Sequence, residues 1–273
     1  MKVRKLHRVS RTLLAVLAVA AAAAGLAVRV RAQEPAAKAP LVFEVASIKP
    51  TPPDERGGIV HPLPGGQGYE AIGVPLRVIM TVAYTVTDRQ ISGGPDWINT
   101  DRWNIQAKAE RQGTTDELHN ALARLLEDRF QLKLRRETRE LPAYLLTVDK
   151  KGVKMPVHDA ADRVHEPIGG RFQDGELRLT GQNVPMDYFA FFLSRGLPLN
   201  VVDKTGLSDR YDVNLHYAPE GRPGSDGGAP APPVADGPDL MTALREQLGL
   251  RLEKGKGPVE YLVIEHVEKA SEN

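Results

Sequence analysis

The chain repeats a pattern, and any fold for it has to accommodate two copies of one unit. Gly73-Val74-Pro75-Leu76 leads into the apolar stretch Arg77–Tyr84, and about 110 residues later Asn183-Val184-Pro185-Met186 leads into Asp187–Leu193. Proline in a first helical turn loses no hydrogen bond, so both segments read as helix starts. A short strand precedes each, at Tyr69–Ile72 and Glu176–Thr180. Farther on, Asp101-Arg102-Trp103-Asn104-Ile105-Gln106-Ala107 corresponds to Asp209-Arg210-Tyr211-Asp212-Val213-Asn214-Leu215. Apolar and polar residues alternate in both, the pattern of a half-buried strand.

An amphipathic helix follows in each copy. The first opens on the capping box Thr114-x-x-Glu117 and lines one face with Leu118, Ala121, Leu122, Leu125 and Leu126. The second opens at Pro238, places Leu240, Ala243, Leu244, Gln247 and Leu248 in matching positions, and stops at Gly249. A strand pair is expected to close each copy: Phe130–Arg136 with Ala143–Val148, and Leu250–Glu253 with Val259–Val267. The expected fold is α+β, in two related lobes from an internal duplication, 41–150 and 151–273. Each lobe carries a small antiparallel or mixed sheet packed by two helices. Three segments read as irregular: Gln33–Pro40, the Pro/Gly-rich Lys49–Gly68, and Ala218–Pro238, where 11 of 21 residues are Gly or Pro.

The N-terminus reads as an address. Lys2–Arg11 is basic, Thr12–Val28 is an apolar run of 17 residues, and Val30-Arg31-Ala32 suits cleavage after Ala32. That is a secretory signal peptide, since the run is at the short limit for a membrane span. It carries seven of the 36 Lys and Arg and no acid, so its removal turns a net charge of +1 into −6, with 29 basic against 35 acidic residues. An acidic mature chain argues against nucleic acid as a partner. No later apolar run is long enough to span a bilayer. The chain has no cysteine, so an exported protein of this kind relies on burial without disulfides. The expected location is secreted or periplasmic.

Several motifs together resemble a family of uncharacterised exported proteins of soil bacteria. They are Phe43–Pro50, Gln90–Trp97, Leu125–Phe130, Val202–Leu207, Ala243–Leu250 and Val263–Lys269. The resemblance implies secretion and no established activity. Similar domains occur fused to membrane metallopeptidases of the β-lactam-sensor type, which implies envelope sensing or recognition; this chain has no His-Glu-x-x-His. The repeat unit is also distantly similar to the small α/β modules at the N-termini of secretins and TonB-dependent transporters.

Candidate binding residues are Gly93, Gly94, Asp96 and Trp97 in one inter-element turn and Asp203, Lys204 and Thr205 in the other. Asp203-Lys204-Thr205-Gly206 matches the phosphorylated aspartate run of ion-pumping ATPases, but the membrane helices and nucleotide domain are missing. Lys204-Thr205-Gly206 matches one element of penicillin-binding enzymes, but no Ser-x-x-Lys accompanies it. Asp, Thr and Gly there suit a tight turn. Trp103 is expected in the core, like its counterpart Tyr211. His61, His119, His158, His165, His216 and His266 form no ligand spacing, so no metal or cofactor is expected. The charged run Arg135–Glu140 is expected as a solvated edge near a hairpin turn. The expected function is a non-enzymatic binding or interaction protein of the cell envelope with an unknown envelope ligand or protein partner. The alternatives are a secreted hydrolase using carboxylates such as Asp96 or Asp203, or a partner of an envelope sensor peptidase.

Overall fold

The computed structural model describes residues 39–55, 57–159, 168–173, 175–219 and 237–270, and Pro40–Asn273 form one compact unit. The expected signal peptide, its cleavage site, positions 33–38, His165 and positions 220–236 of the long loop lie outside the described residues.

The fold is mixed α+β. Eleven strands among the described residues are β1 (Phe43–Pro50), β2 (Ile59–Pro62), β3 (Gly68–Pro75), β4 (Ile91–Gly93), β5 (Arg102–Ala109), β6 (Lys133–Val148), β7 (Gly169–Gln173), β8 (Glu176–Val184), β9 (Val201–Asp203), β10 (Tyr211–Tyr217) and β11 (Leu250–His266). Five α-helices accompany them: α1 (Leu76–Ala83), α2 (Trp97–Thr100), α3 (Thr115–Arg129), α4 (Met186–Gly196) and α5 (Leu240–Ala243). A π-helical turn, Leu244–Leu248, continues α5. Three sheets result, ordered β1-β5-β3-β2, β10-β8-β7 and β4-β11-β6-β9.

Local signals act as the sequence predicts. Thr114 Oγ1 accepts from Glu117 N while the Glu117 carboxylate accepts from Thr114 N, so the capping box on α3 is complete. Gly249 ends the second helix at φ 68°. Three starts shift by a residue or two. Pro75 and Pro185 are N-caps with extended backbone, and the cap before Leu240 is Asp239, whose carboxylate accepts from Thr242 N at 2.9 Å.

The closing strand pairs are not hairpins. Each pair is one continuous strand, β6 and β11, and the two run antiparallel along their whole length, Leu250 facing Val148 and His266 facing Lys133. Gly255-Lys256-Gly257-Pro258 reads as a turn but lies flat, facing Ala143, Pro142, Leu141 and Glu140. The glycines are there because Leu145 lies across them: a Cβ on Gly255 would stand 2.7 Å from Leu145 Cδ1. Pro142 and Pro258 sit where the ribbon has no third strand, since β9 pairs only from Tyr144 and β4 only from Leu262, so a missing N–H is tolerated. The run Arg135–Glu140 is therefore mid-strand rather than near a turn. Its Arg135, Glu137 and Arg139 pair with one another on the exposed face. Within the expected loop 49–68, Ile59–Pro62 forms an edge strand on β3.

The ribbon serves two cores. The first gathers Leu76, Ile79, Met80, Trp103, Ile105, Leu122 and Leu126, and it takes Leu262 and Ile264 from the far end of the chain. The second gathers Leu179, Phe189, Leu193, Tyr211, Leu215, Leu244 and Leu250, and it takes Tyr144 and Leu146 from β6. The pairing is reciprocal: β4 runs parallel to β11 at Leu262–Ile264, and β9 runs parallel to β6 at Tyr144–Leu146.

Candidate functional site

The two turns singled out in the sequence stand in corresponding places, each after a three-residue strand laid parallel on the ribbon. Gly93 faces Ile264, which faces Leu134, while Asp203 faces Leu146. From 134 to 146, the turns are separated by twelve residues of β6 along the ribbon. They do not share a surface.

Inside the first turn, Gly93 and Gly94 take left-handed φ values of 80° and 82°. A Cβ on Gly94 would stand 2.8 Å from Ile98 Cδ1, so close packing also calls for glycine there. Asp96 is exposed, and its carbonyl accepts from Asn99 N at 3.0 Å. Trp97 is half-buried. It stacks on Phe130 at 6.4 Å and 22° and meets Trp103 edge-on, with the Lys269 ammonium 5.8 Å from its ring centre. Trp103 is buried, as expected, with its ring edge-on to Phe130 at 5.0 Å. In the second turn, Asp203 Oδ1 accepts from Thr205 N at 2.8 Å and from Thr205 Oγ1 at 2.7 Å, and Thr205 Oγ1 accepts from Leu207 N. Lys204 is exposed and ties the turn to β6 by its backbone, N to Leu146 O at 2.8 Å.

The junction of the two cores holds a different cluster. On α3, Asp116, His119, Asn120, Arg124 and Glu127 recur at helical spacing and share one face. Facing them are Tyr84 and Thr85 from the end of α1, Arg136 from β6 and Asp187 from the start of α4. Together they wall a cleft of about 440 Å³. A recess of about 140 Å³ meets it at Thr85 and Asp187, lined by Phe191, Ser194, Asn200 and Val259 among others.

Most of the charged wall is held in place. Asp116 pairs with Arg210 across the junction, and Arg210 also donates to Asn183 O at 3.1 Å. Tyr84 Oη donates to Glu127 Oε1 at 3.0 Å; burial first and Glu127 second push that phenol far above its ordinary range, so it keeps its proton. Arg136 pairs with Glu260 and lies 5.8 Å from the Tyr84 ring centre. Asp187 Oδ1 accepts from Tyr188 N at 2.7 Å.

Behind the wall runs a part-buried polar seam. Asn200 Oδ1 lies 2.9 Å from Thr87 Oγ1 and accepts from Arg89 Nε at 2.8 Å, and Arg89 also donates to Ser194 O. His119 is 5% exposed; its Nε2 is 3.0 Å from the buried Tyr69 Oη and its Nδ1 is 3.4 Å from Thr85 Oγ1. Burial, reinforced by Tyr188 and opposed by Arg195, holds the Tyr69 phenol protonated.

Thr85 is the strained residue of this site. Helix α1 ends in a complete Schellman motif, with Val86 N donating to Thr81 O at 3.0 Å and Thr85 N to Val82 O at 3.2 Å. The residue between, usually glycine, is Thr85 at φ 55°. A β-branched side chain there costs about 1–2 kcal/mol. Such strain persists where the surroundings over-determine it, and it gathers at binding sites.

Sequence reasoning did not single out this cleft. The stripe 116/119/120/124/127 was the available signal, but a merely solvated helix face has the same spacing. Nothing local marks Thr85 as left-handed. Among the described residues no group of three His, Asp or Glu is placed to hold a metal ion, and no helix is long and apolar enough to cross a membrane.

Fold and site define an α+β protein of two cores on one shared ribbon, with a polar cleft at their junction. By sequence the chain belongs to the family described as "Protein of unknown function (DUF3738)", matched over residues 77–267. That span runs from α1 to the end of β11 and takes in both sides of the cleft. No curated protein and no solved structure matches the chain.

Proposed function

We propose that the protein is an exported, non-enzymatic binding protein of the cell envelope whose ligand seats in the cleft between the two cores. The observation that carries this reading is the cleft wall. Its acidic and basic side chains are already oriented by internal partners, Asp116 by Arg210, Glu127 by Tyr84 and Arg136 by Glu260, so little ordering is left for binding to offset. The carboxylates named for a hydrolase, Asp96 and Asp203, stand too far apart to act as a pair on one substrate.

Export follows from the leader at 1–32, with cleavage after Ala32, and fits the resemblance to exported proteins of soil bacteria. Duplication as the origin of the two halves is supported by a shared bulge. Gly73 and Asn183 both take left-handed backbone, at φ 62° and 59°, and donate N–H to the side-chain oxygen of Asn104 and Asp212 respectively.

The test is capture of ligand from separated peptidoglycan, polysaccharide and protein fractions of envelope extract, using mature protein and the variants Asp187→Ala and Asn120→Ala. Retention of one fraction by the wild type, weakened by both variants, is expected. Equal retention by all three proteins would remove the ligand from the cleft. Retention confined to the protein fraction would favour an interaction partner such as an envelope sensor peptidase.

A further inference from the structure

The recess beside Thr85 sets the apolar Phe191, Val201 and Val259 beside the polar Gln90 and Glu260 and one under-used amide. Arg89 can only donate, so the Asn200 atom facing it is the oxygen. The amide NH2 of this 8%-exposed residue then makes no hydrogen bond among the described residues. A small group with one carbonyl oxygen and a methyl suits such a space. The main cleft is more polar still. Asp187, Glu127, Asn120 and Arg124 offer acceptors and donors in near balance, which suits hydroxyl groups, because a hydroxyl does both. An apolar ligand would leave these groups desolvated, and a strongly charged one would meet its own sign. At about 440 Å³ the cleft falls within the roughly 300–1,000 Å³ of small-ligand sites.

Resting on the cleft reading above, we propose that the ligand is a sugar carrying an acetamido group. The hydroxylated ring lies in the cleft against Thr85, and the acetamido group enters the recess toward Asn200. Thr85 is the end of a chain, Tyr69 to His119 to Thr85, that presents a fixed hydroxyl to the cleft whichever ring nitrogen carries the proton. The strained backbone is what brings that hydroxyl within reach of the imidazole.

The test is calorimetric titration of the mature protein with N-acetylglucosamine, glucosamine and glucose oligomers of equal length, beside melting curves of Thr85→Gly and Thr85→Ser. The acetylated oligomer is expected to bind at least about tenfold tighter than the other two. Thr85→Gly should melt higher than wild type, because strain is relieved, yet bind about tenfold more weakly. Thr85→Ser should restore binding. Equal affinity for all three sugars would overturn the acetamido assignment, and unchanged binding by Thr85→Gly would overturn the role of Thr85. No sugar binding, with an envelope fraction still captured through Asp187 and Asn120, would sink this inference alone. Capture of nothing would sink the cleft reading with it.

Discussion

The two halves of the molecule solve one backbone problem with different chemistry. In the first, Asn104 Oδ1 accepts from Gly73 N at 2.8 Å and from Thr51 Oγ1 at 2.9 Å. In the second, Asp212 Oδ1 accepts from Asn183 N at 3.1 Å and lies 2.7 Å from His158 Nδ1. Both sites sit at a register shift between paired strands. The first acceptor is an amide, whose Nδ2 donates to Glu55 at 2.8 Å, and it needs glycine, because a Cβ on residue 73 would stand 2.8 Å from Gly57 Cα. No such neighbour constrains Asn183, and asparagine tolerates a left-handed backbone. A bulge thus sets the position of the acceptor, while the surrounding chain decides whether it is an amide or a carboxylate.

The largest effect should come from separating what the ribbon joins. Leu262 is fully buried in the first core although it lies in the last strand. Leu262→Ala should cost about 2–5 kcal/mol. A chain ending at Lys256 should lose the first core's cooperative melting, read by near-ultraviolet dichroism. An intact first-core transition in that truncation would show the halves to be separable.

Next come the bulges themselves. Gly73→Ala combines left-handed strain with a clash against Gly57 and should cost about 3 kcal/mol in denaturant titration. Asn183→Gly should change stability by less than about 1 kcal/mol. Similar costs at both positions would mean that the Gly57 approach is unimportant.

Asp212→Ala removes the oxygen shared by the His158 imidazole and the Asn183 N–H, a loss of about 2–3 kcal/mol. Asn104→Ala should cost about 1 kcal/mol less, because the part-exposed Thr51 hydroxyl and Glu55 carboxylate it deserts are more easily satisfied by water. The same denaturant measurement compares them.

The smallest effect is a pH arm. Tyr69 is held protonated in the folded first core, so above its ordinary value of 10.0 the unfolded chain binds fewer protons than the folded one. Stability contributed by this group is complete below pH 10 and falls as pH rises, by about 1 kcal/mol in the first unit. Tyr69→Phe should flatten that decline in melting temperature between pH 10 and 11.

Much of the local structure was legible. The capping box of Thr114, the stop at Gly249, the helices after Pro75 and Pro185 and the buried Trp103 all follow from contacts within a few residues. Gly255–Pro258 misled because its composition is that of a turn, while its glycines in fact make room for Leu145. Edge strands such as Ile59–Pro62 were hidden by proline and glycine that an unpaired side tolerates. The cleft was illegible for another reason: its walls come from α1, α3, α4 and β6, and each side chain alone looks like a solvated residue.

What the sequence determined by itself was the periodicity, the caps and the repeated order of elements, because those depend on hydrogen bonds and side-chain spacing inside one turn or one strand. Only the tertiary structure decided that β11 crosses back to complete the first core, that the two candidate turns lie far apart, and that Thr85, His119 and Asn200 meet beside one cleft. Strand pairing is a choice among distant partners, made by the burial that the whole chain can achieve at once.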